Sequence, residues 1–206
     1  MLKADLAGII LAGGESRRMN RVAKAHLQMN GSEFIDRICA EMRQICGDVV
    51  AVIATEQQRA AFQGKALTVV KEEIPGRGPL GGLEVGFGSC GSPLVWLSAC
   101  DMPFASARAA AYMSEKLRGR SRCLAAVPFV AGRLHPLQAV YRRECLPHII
   151  GCLEAGERRM MALLGTLHLI QITEAELSEA GISSSRLVMN VNCPQDYEQA
   201  CLMDKA

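Results

Sequence analysis

Residues 6–10, Leu6-Ala7-Gly8-Ile9-Ile10, form an apolar run that passes through Leu11-Ala12 into paired glycines and a basic stretch, Gly13-Gly14-Glu15-Ser16-Arg17-Arg18-Met19. An uninterrupted apolar run of this length has the pattern of a strand buried on both faces of a parallel sheet. Glycines directly behind such a strand let the backbone approach a ligand closely, and exposed amides at a helix start favour an anion. The spacing is neither the dinucleotide Gly-x-Gly-x-x-Gly nor the Walker Gly-x-x-x-x-Gly-Lys. Arg17, Arg18, Arg21 and Lys24 nevertheless place positive charge beside it. Read without a ligand, the same stretch is an ordinary strand-to-helix turn with a solvated basic face.

Ser32 is placed to cap a helix whose apolar positions Phe34, Ile35, Ile38, Met42, Ile45 and Cys46 recur at spacings of three and four, ended by Gly47. Residues 49–54 then read as a second buried strand, a short helix spans Arg59 to Phe62, and residues 66–70 form a third strand. Pro75-Gly76-Arg77-Gly78-Pro79-Leu80-Gly81-Gly82 is loop by composition, followed by a helix through Leu83 and Phe87. Residues 93–100 are a fourth strand, closed by Asp101 with Pro103 behind it. Further strands are expected at 124–129, 138–141 and 166–172. Helices are expected from Glu144 to Ala155, from Met160 to Leu164 and from Pro194 to Met203, with a polar stretch before the last. Alternation of this kind predicts an α/β fold, a three-layer sandwich on a mostly parallel sheet, with its ligand crevice at the carboxyl ends of the strands. One domain over residues 1–206 is expected.

Composition narrows the function. Lys+Arg 23 against Asp+Glu 21 leaves a net charge of +2, and only 4% of residues are aromatic, which argues against a nucleic-acid binder. The first apolar stretch breaks at Gly13-Gly14, too early for a signal or membrane span, so no membrane association and a cytoplasmic location are expected. Nine cysteines, an odd number with no Cys-x-x-Cys pair, are read as reduced small hydrophobes.

Three elements at strand ends converge on one sheet edge: the Gly13-Gly14 loop, the Gly78 to Gly82 loop and Asp101. A strand-end Asp serves as often as a helix cap or ion-pair partner. Beside a polyphosphate it is what Mg²⁺ requires, one or two protein oxygens completed by phosphate and water.

Leu11-Ala12-Gly13-Gly14-x-Ser16-x-Arg18-Met19, Lys24, Gly78-Pro79-Leu80-x-Gly82, Cys100-Asp101-x-Pro103, His135-Pro136, Leu153 to Arg159 and Asn190-x-Asn192-x-Pro194 together resemble the molybdenum cofactor guanylyltransferases. The opening and Asp101 alone indicate only the wider nucleotidyltransferase superfamily, with its Rossmann-like fold. The Gly156-Glu157-Arg158-Arg159 stretch and the Asn-x-Asn-x-Pro ending narrow it. The resemblance implies transfer of GMP from GTP to molybdopterin cofactor, with Mg²⁺ as cofactor. It also implies other cofactor-maturation proteins or apo-molybdoenzymes as further partners. It assigns Leu11, Ala12, Gly13, Gly14, Glu72, Gly78, Pro79, Leu80 and Gly82 to the nucleotide, Arg18 and Lys24 to its phosphates, and Asp101 to nucleotide and metal. His135, Arg158, Asn190 and Asn192 fall on the pterin side.

The chain departs from the family pattern at three places. Asn20 stands where a glycine is usual, Ala23 where an aspartate precedes the lysine, and Ile53-Ala54-Thr55 where an asparagine is often found. Two alternatives stay open, the second of them motivated by Asn20 and Ala23. One is a cytidylyltransferase or sugar-phosphate nucleotidyltransferase of the same fold; the other is a binding protein that delivers the cofactor without transferring a nucleotide.

Overall fold

The computed structural model describes residues 3–13, 24–74 and 76–205. Within them the chain runs β1 (Leu6–Leu11), β2 (Gln28–Met29), β3 (Ser32–Glu33), α1 (Phe34–Ile45), β4 (Val49–Ile53), α2 (Glu56–Arg59), β5 (Thr68–Lys71), α3 (Gly78–Gly88) and β6 (Leu94–Ala99). It continues through α4 (Ala107–Arg118), β7 (Ala125–Val130), β8 (Arg133–Leu134), β9 (Gln138–Arg142), α5 (Leu146–Glu154) and α6 (Met160–Leu164). β10 (Leu169–Thr173), α7 (Glu174–Glu179), α8 (Ser184–Leu187) and α9 (Pro194–Lys205) complete it.

The main sheet has the order β10-β7-β9-β6-β1-β4-β5, with β8 pairing β7 at its side. β5, β4, β1 and β6 are mutually parallel, and β7 is parallel to β10, while β9 runs antiparallel to both β6 and β7. The expected mostly parallel α/β architecture is therefore present. Strand alternation divides the core into two layers. Leu6 and Ile10 of β1 pack with Ile38 and Met42 of α1 and with Met113 of α4. Ala7 and Ile9 pack on the other side, with Leu83 and Phe87 of α3 and Ile149 of α5. Helices on both faces make the sheet doubly wound. β1 sits at the reversal point, because the chain moves outward to β4 and β5 and returns through α3 to β6. α3 lies so close to β1 that a Cβ at Gly86 would come 2.8 Å from Ile9 Cδ1.

Several boundaries differ from the sequence expectation, each for a local reason. The helix over 34–45 starts at Phe34 with Glu33 as N-cap, because Ser32 is drawn into a hairpin with Gln28–Met29, turned by Asn30 (φ 49°) and Gly31 (φ 78°). The segment read as loop over 75–82 is already helical from Gly78, with Pro79 in the first turn where its missing N–H costs nothing. Residues 166–168 are not strand, since Thr166 N and Leu167 N still bond back to Leu163 O and Leu164 O. The polar stretch before the last helix holds α7 and α8, started by a Thr173–Glu176 capping box and by Ser183.

All nine cysteines are free thiols. Burial pushes Cys46, Cys100 and Cys145 up to about 12, so these act as packing groups rather than nucleophiles. No described helix is long and apolar enough to cross a membrane.

Candidate active site

The carboxyl ends of β4, β1 and β6 are tied together by backbone bonds, Ala12 N to Val52 O at 2.8 Å and Cys100 N to Leu11 O at 3.0 Å. A cavity of about 540 Å³ opens over these ends, lined by Leu11, Gly13, Lys24, Glu72, Gly78, Pro79 and Asp101 among the residues expected from sequence. Gly13 is required there by space: a Cβ would lie 3.0 Å from Ala54 N. A second depression of about 510 Å³, bounded by Arg37, Glu41, Phe104 and Arg186, shares no lining residue with it.

Lys24 projects from a short turn whose next residue, Ala25, is buried. Its Nζ donates to Asp101 Oδ2 at 2.9 Å and to Asn192 Oδ1 at 2.5 Å. Side-chain exposures of 16% and 17% place the Lys24–Asp101 pair where water screens it only in part. Asp101 follows β6, and its carbonyl accepts from Val191 N at 2.9 Å, which carries the Asn190–Asn192 segment up to the site. Asp196 Oδ2 accepts from Asn192 N at 2.8 Å and Cys193 N at 3.0 Å, and these bonds hold its carboxyl below the usual range. Asn192, assigned by resemblance to the pterin side, is thus part of the Lys24–Asp101 cluster.

The second carboxylate oxygen, Asp101 Oδ1, is buried and has no hydrogen-bond partner among the described residues. A buried carboxylate oxygen left open is costly unless a cation completes it, so the donor fits a hard divalent ion. Among the described residues no three His, Cys, Asp or Glu side chains converge, which leaves Asp101 as a single-carboxylate donor.

Glu72 ends the β5 side of the cavity. Burial pushes its carboxyl above the usual carboxylate range, while the Arg77 charge pulls the other way. Gly82 stands behind it: a Cβ there would meet Leu11 Cδ2 at 3.0 Å and Glu72 Oε1 at 3.1 Å. Leu80 is fully buried in the α3 layer and Ala12 is 6% exposed, so both support the wall from behind. Gly78 has φ +66°, and a Cβ would lie 3.1 Å from Arg158 O, which seats the 156–159 turn against the start of α3.

His135 Nε2 lies 3.2 Å from Val130 O, and burial lowers its pKa below the usual imidazole value. Asn190 Oδ1 is buried without a partner among the described residues. Neither residue lines the cavity. Gly14, Arg17, Arg18, Asn20, Arg21 and Ala23 lie outside the described residues. Sequence reasoning missed Thr55, Gln58 and Leu137 as lining residues. The Thr55-x-x-Gln58 capping box was the available signal for the first two.

A doubly wound sheet with a glycine-walled cavity, a lysine and a strand-end carboxylate at its reversal point suits a nucleotide-binding site, and near full-length relatives make the chain an enzyme of the nucleotidyltransferase class. The chain belongs to the MobA-like NTP transferase domain family, whose model matches residues 8–199. It is 31% identical over 200 residues to the "Probable molybdenum cofactor guanylyltransferase" of Natronomonas pharaonis, covering 95% of this chain and 96% of that protein. The "Molybdenum cofactor guanylyltransferase" of Desulfosudis oleivorans is 31% identical over 196 residues, 95% of this chain and 94% of the relative. In fold the chain is similar to molybdopterin-guanine dinucleotide biosynthesis protein A from Archaeoglobus fulgidus. That likeness has a TM-score of 0.81 at 20% identity and covers 97% and 98% of the two chains.

Proposed function

We propose that the protein transfers GMP from GTP to the phosphate of molybdopterin cofactor, forming the guanine dinucleotide cofactor and pyrophosphate. The observation that carries this reading is the pairing of Lys24 with a part-buried Asp101, whose Oδ1 has no partner among the described residues, at the reversal point of the sheet. Near full-length similarity to proteins named for that activity supports it.

Asp101 is the residue that would hold Mg²⁺, and the ion would supply charge neutralisation at the phosphates. An acceptor phosphate oxygen attacks the α-phosphorus in line, so the protein provides no nucleophile of its own, only position and charge. Lys24, kept in reach by Asn192, and Arg18 stabilise the charge gathering on departing pyrophosphate. Glu72, Leu11, Gly13, Gly78 and Pro79 enclose the nucleoside. His135, Arg158 and Asn190 serve the acceptor side, where other cofactor-maturation proteins or apo-molybdoenzymes exchange the pterin. The reaction runs in the cytoplasm, the compartment that keeps nine free thiols reduced.

The test is incubation of purified protein with Mg²⁺, molybdopterin cofactor and each NTP in turn, following pyrophosphate and the dinucleotide product. Turnover with GTP is expected. GTP binding without pyrophosphate release would favour a delivery protein, and turnover with CTP alone would reassign the base.

A further inference from the structure

We infer that Gln58 reads the nucleobase, selecting a keto oxygen over an amino group at the edge that faces it. This rests on the nucleotide lying in the cavity as proposed above. In the strand order β5-β4-β1-β6, Lys24 and Asp101 stand at the β6 exit, while Gln58 stands beyond the β4 exit. The β4 and β6 exits lie two strand spacings, roughly 10 Å, apart, and the Gln58 amide reaches from the first to Ala12 O at the β1 exit between them. With the phosphates at Lys24, the β4 side receives the base.

The orientation of the Gln58 amide is set by its neighbours. Oε1 accepts from Ala54 N at 2.8 Å and Thr55 N at 3.0 Å, closing the capping box of α2. A flipped amide would set N–H against N–H at both, so the NH₂ group is held on the other side. One of its protons goes to Ala12 O across 3.4 Å, and the other has no partner among the described residues. Gln58 therefore offers the cavity a donor and no acceptor. The 6-keto oxygen of guanine or hypoxanthine accepts that proton; the exocyclic amine of adenine or cytosine brings a second donor against it. Ala54, at the mouth of β4, has no polar side chain to do this.

The discriminating variant is Gln58→Glu, which keeps the bonds accepted from Ala54 N and Thr55 N and replaces the donor by an acceptor oxygen, at the expense of the bond to Ala12 O. Dissociation constants for GTP, ITP and ATP are measured with Mg²⁺ on wild type and variant, together with the melting temperature. Wild type is expected to bind GTP and ITP about tenfold tighter than ATP, in line with one donor satisfied or opposed. In the variant the ITP:ATP ratio falls to parity or inverts, because the new acceptor opposes the keto oxygen and accepts from the 6-amino group. The melting temperature drops by no more than a few degrees, for the lost bond to Ala12 O. ITP carries the keto group without the 2-amino group, and the ratio cancels the added charge felt by every triphosphate. Wild type without an ITP-over-ATP preference, or a variant that keeps it, overturns the inference. Should Gln58→Glu not fold, Gln58→Met carries the same comparison. A keto preference in a protein that releases no pyrophosphate would overturn the transfer reaction and leave the role of Gln58 standing.

Discussion

Asp101→Asn is nearly isosteric, and its effects on stability and on activity should separate. The substitution removes the ionic partner of Lys24, a pair only 16% and 17% exposed and hence worth on the order of 1–3 kcal/mol. It also removes a carboxylate whose buried Oδ1 has no partner among the described residues, relieving a penalty of similar size, about 1–3 kcal/mol. The two nearly offset. Net stability should move by no more than about 1 kcal/mol, a shift of roughly 2–4 °C in melting temperature for a chain of this length. Activity has no such compensation, because an amide cannot hold a divalent ion as a carboxylate does. Loss of one preorganised electrostatic contact costs about 2–4 kcal/mol in the transition state, 10²- to 10³-fold in rate. Pyrophosphate release and calorimetry on one preparation measure both. Turnover within tenfold of wild type would remove Asp101 from the reaction, and a melting temperature lowered by more than about 10 °C would make it a fold residue instead.

Gly82→Ala should leave stability within about 1 kcal/mol, since helix propensity gained offsets the squeeze on two side-chain ends, while the nucleotide KM rises because Leu11 and Glu72 must both shift; steady-state kinetics reads this. Gly78→Ala should cost about 1–3 kcal/mol in urea unfolding, from a left-handed backbone and a Cβ pressed on Arg158 O. Glu176 accepts from Thr173 and Lys116, and these bonds hold its carboxyl at about 2, below the ordinary 4.5. A depressed carboxylate stabilises the fold above its unfolded pKa and loses that contribution as pH falls through the folded value. The melting-temperature advantage of wild type over Glu176→Gln should be full at pH 7 and fade between pH 4.5 and 2. An advantage independent of pH would mean that charge at Glu176 does not matter.

The strands were the most legible part of the chain. β1, β4 and β6 are apolar runs whose period and length match a sheet buried on both faces, so core pressure and local pattern agree. Asp101 was legible too, as a carboxylate placed where such a run stops. Short elements were not: the β2–β3 hairpin has two-residue strands, too short for any period, although Asn30-Gly31 marks its turn. The start of α3 was hidden because four glycines and a proline in residues 76–82 carry loop composition, and only packing of the backbone onto β1 and β4 makes a helix there worthwhile.

By itself the sequence determined the layered α/β fold, the glycine-walled crevice and the carboxylate at its edge, because these follow from apolar periodicity and from residue types that local chain geometry places. Tertiary structure alone decided which distant residues share that edge. Lys24 meets Asp101 and Asn192 across separations of 77 and 168 residues, and Gln58 reaches back to Ala12 across 46. No local pattern encodes such meetings. They arise when β1 is clamped between β4 and β6 and the Val191–Asp101 bond brings the carboxyl-terminal segment onto the site, conditions that exist only once the whole sheet has closed.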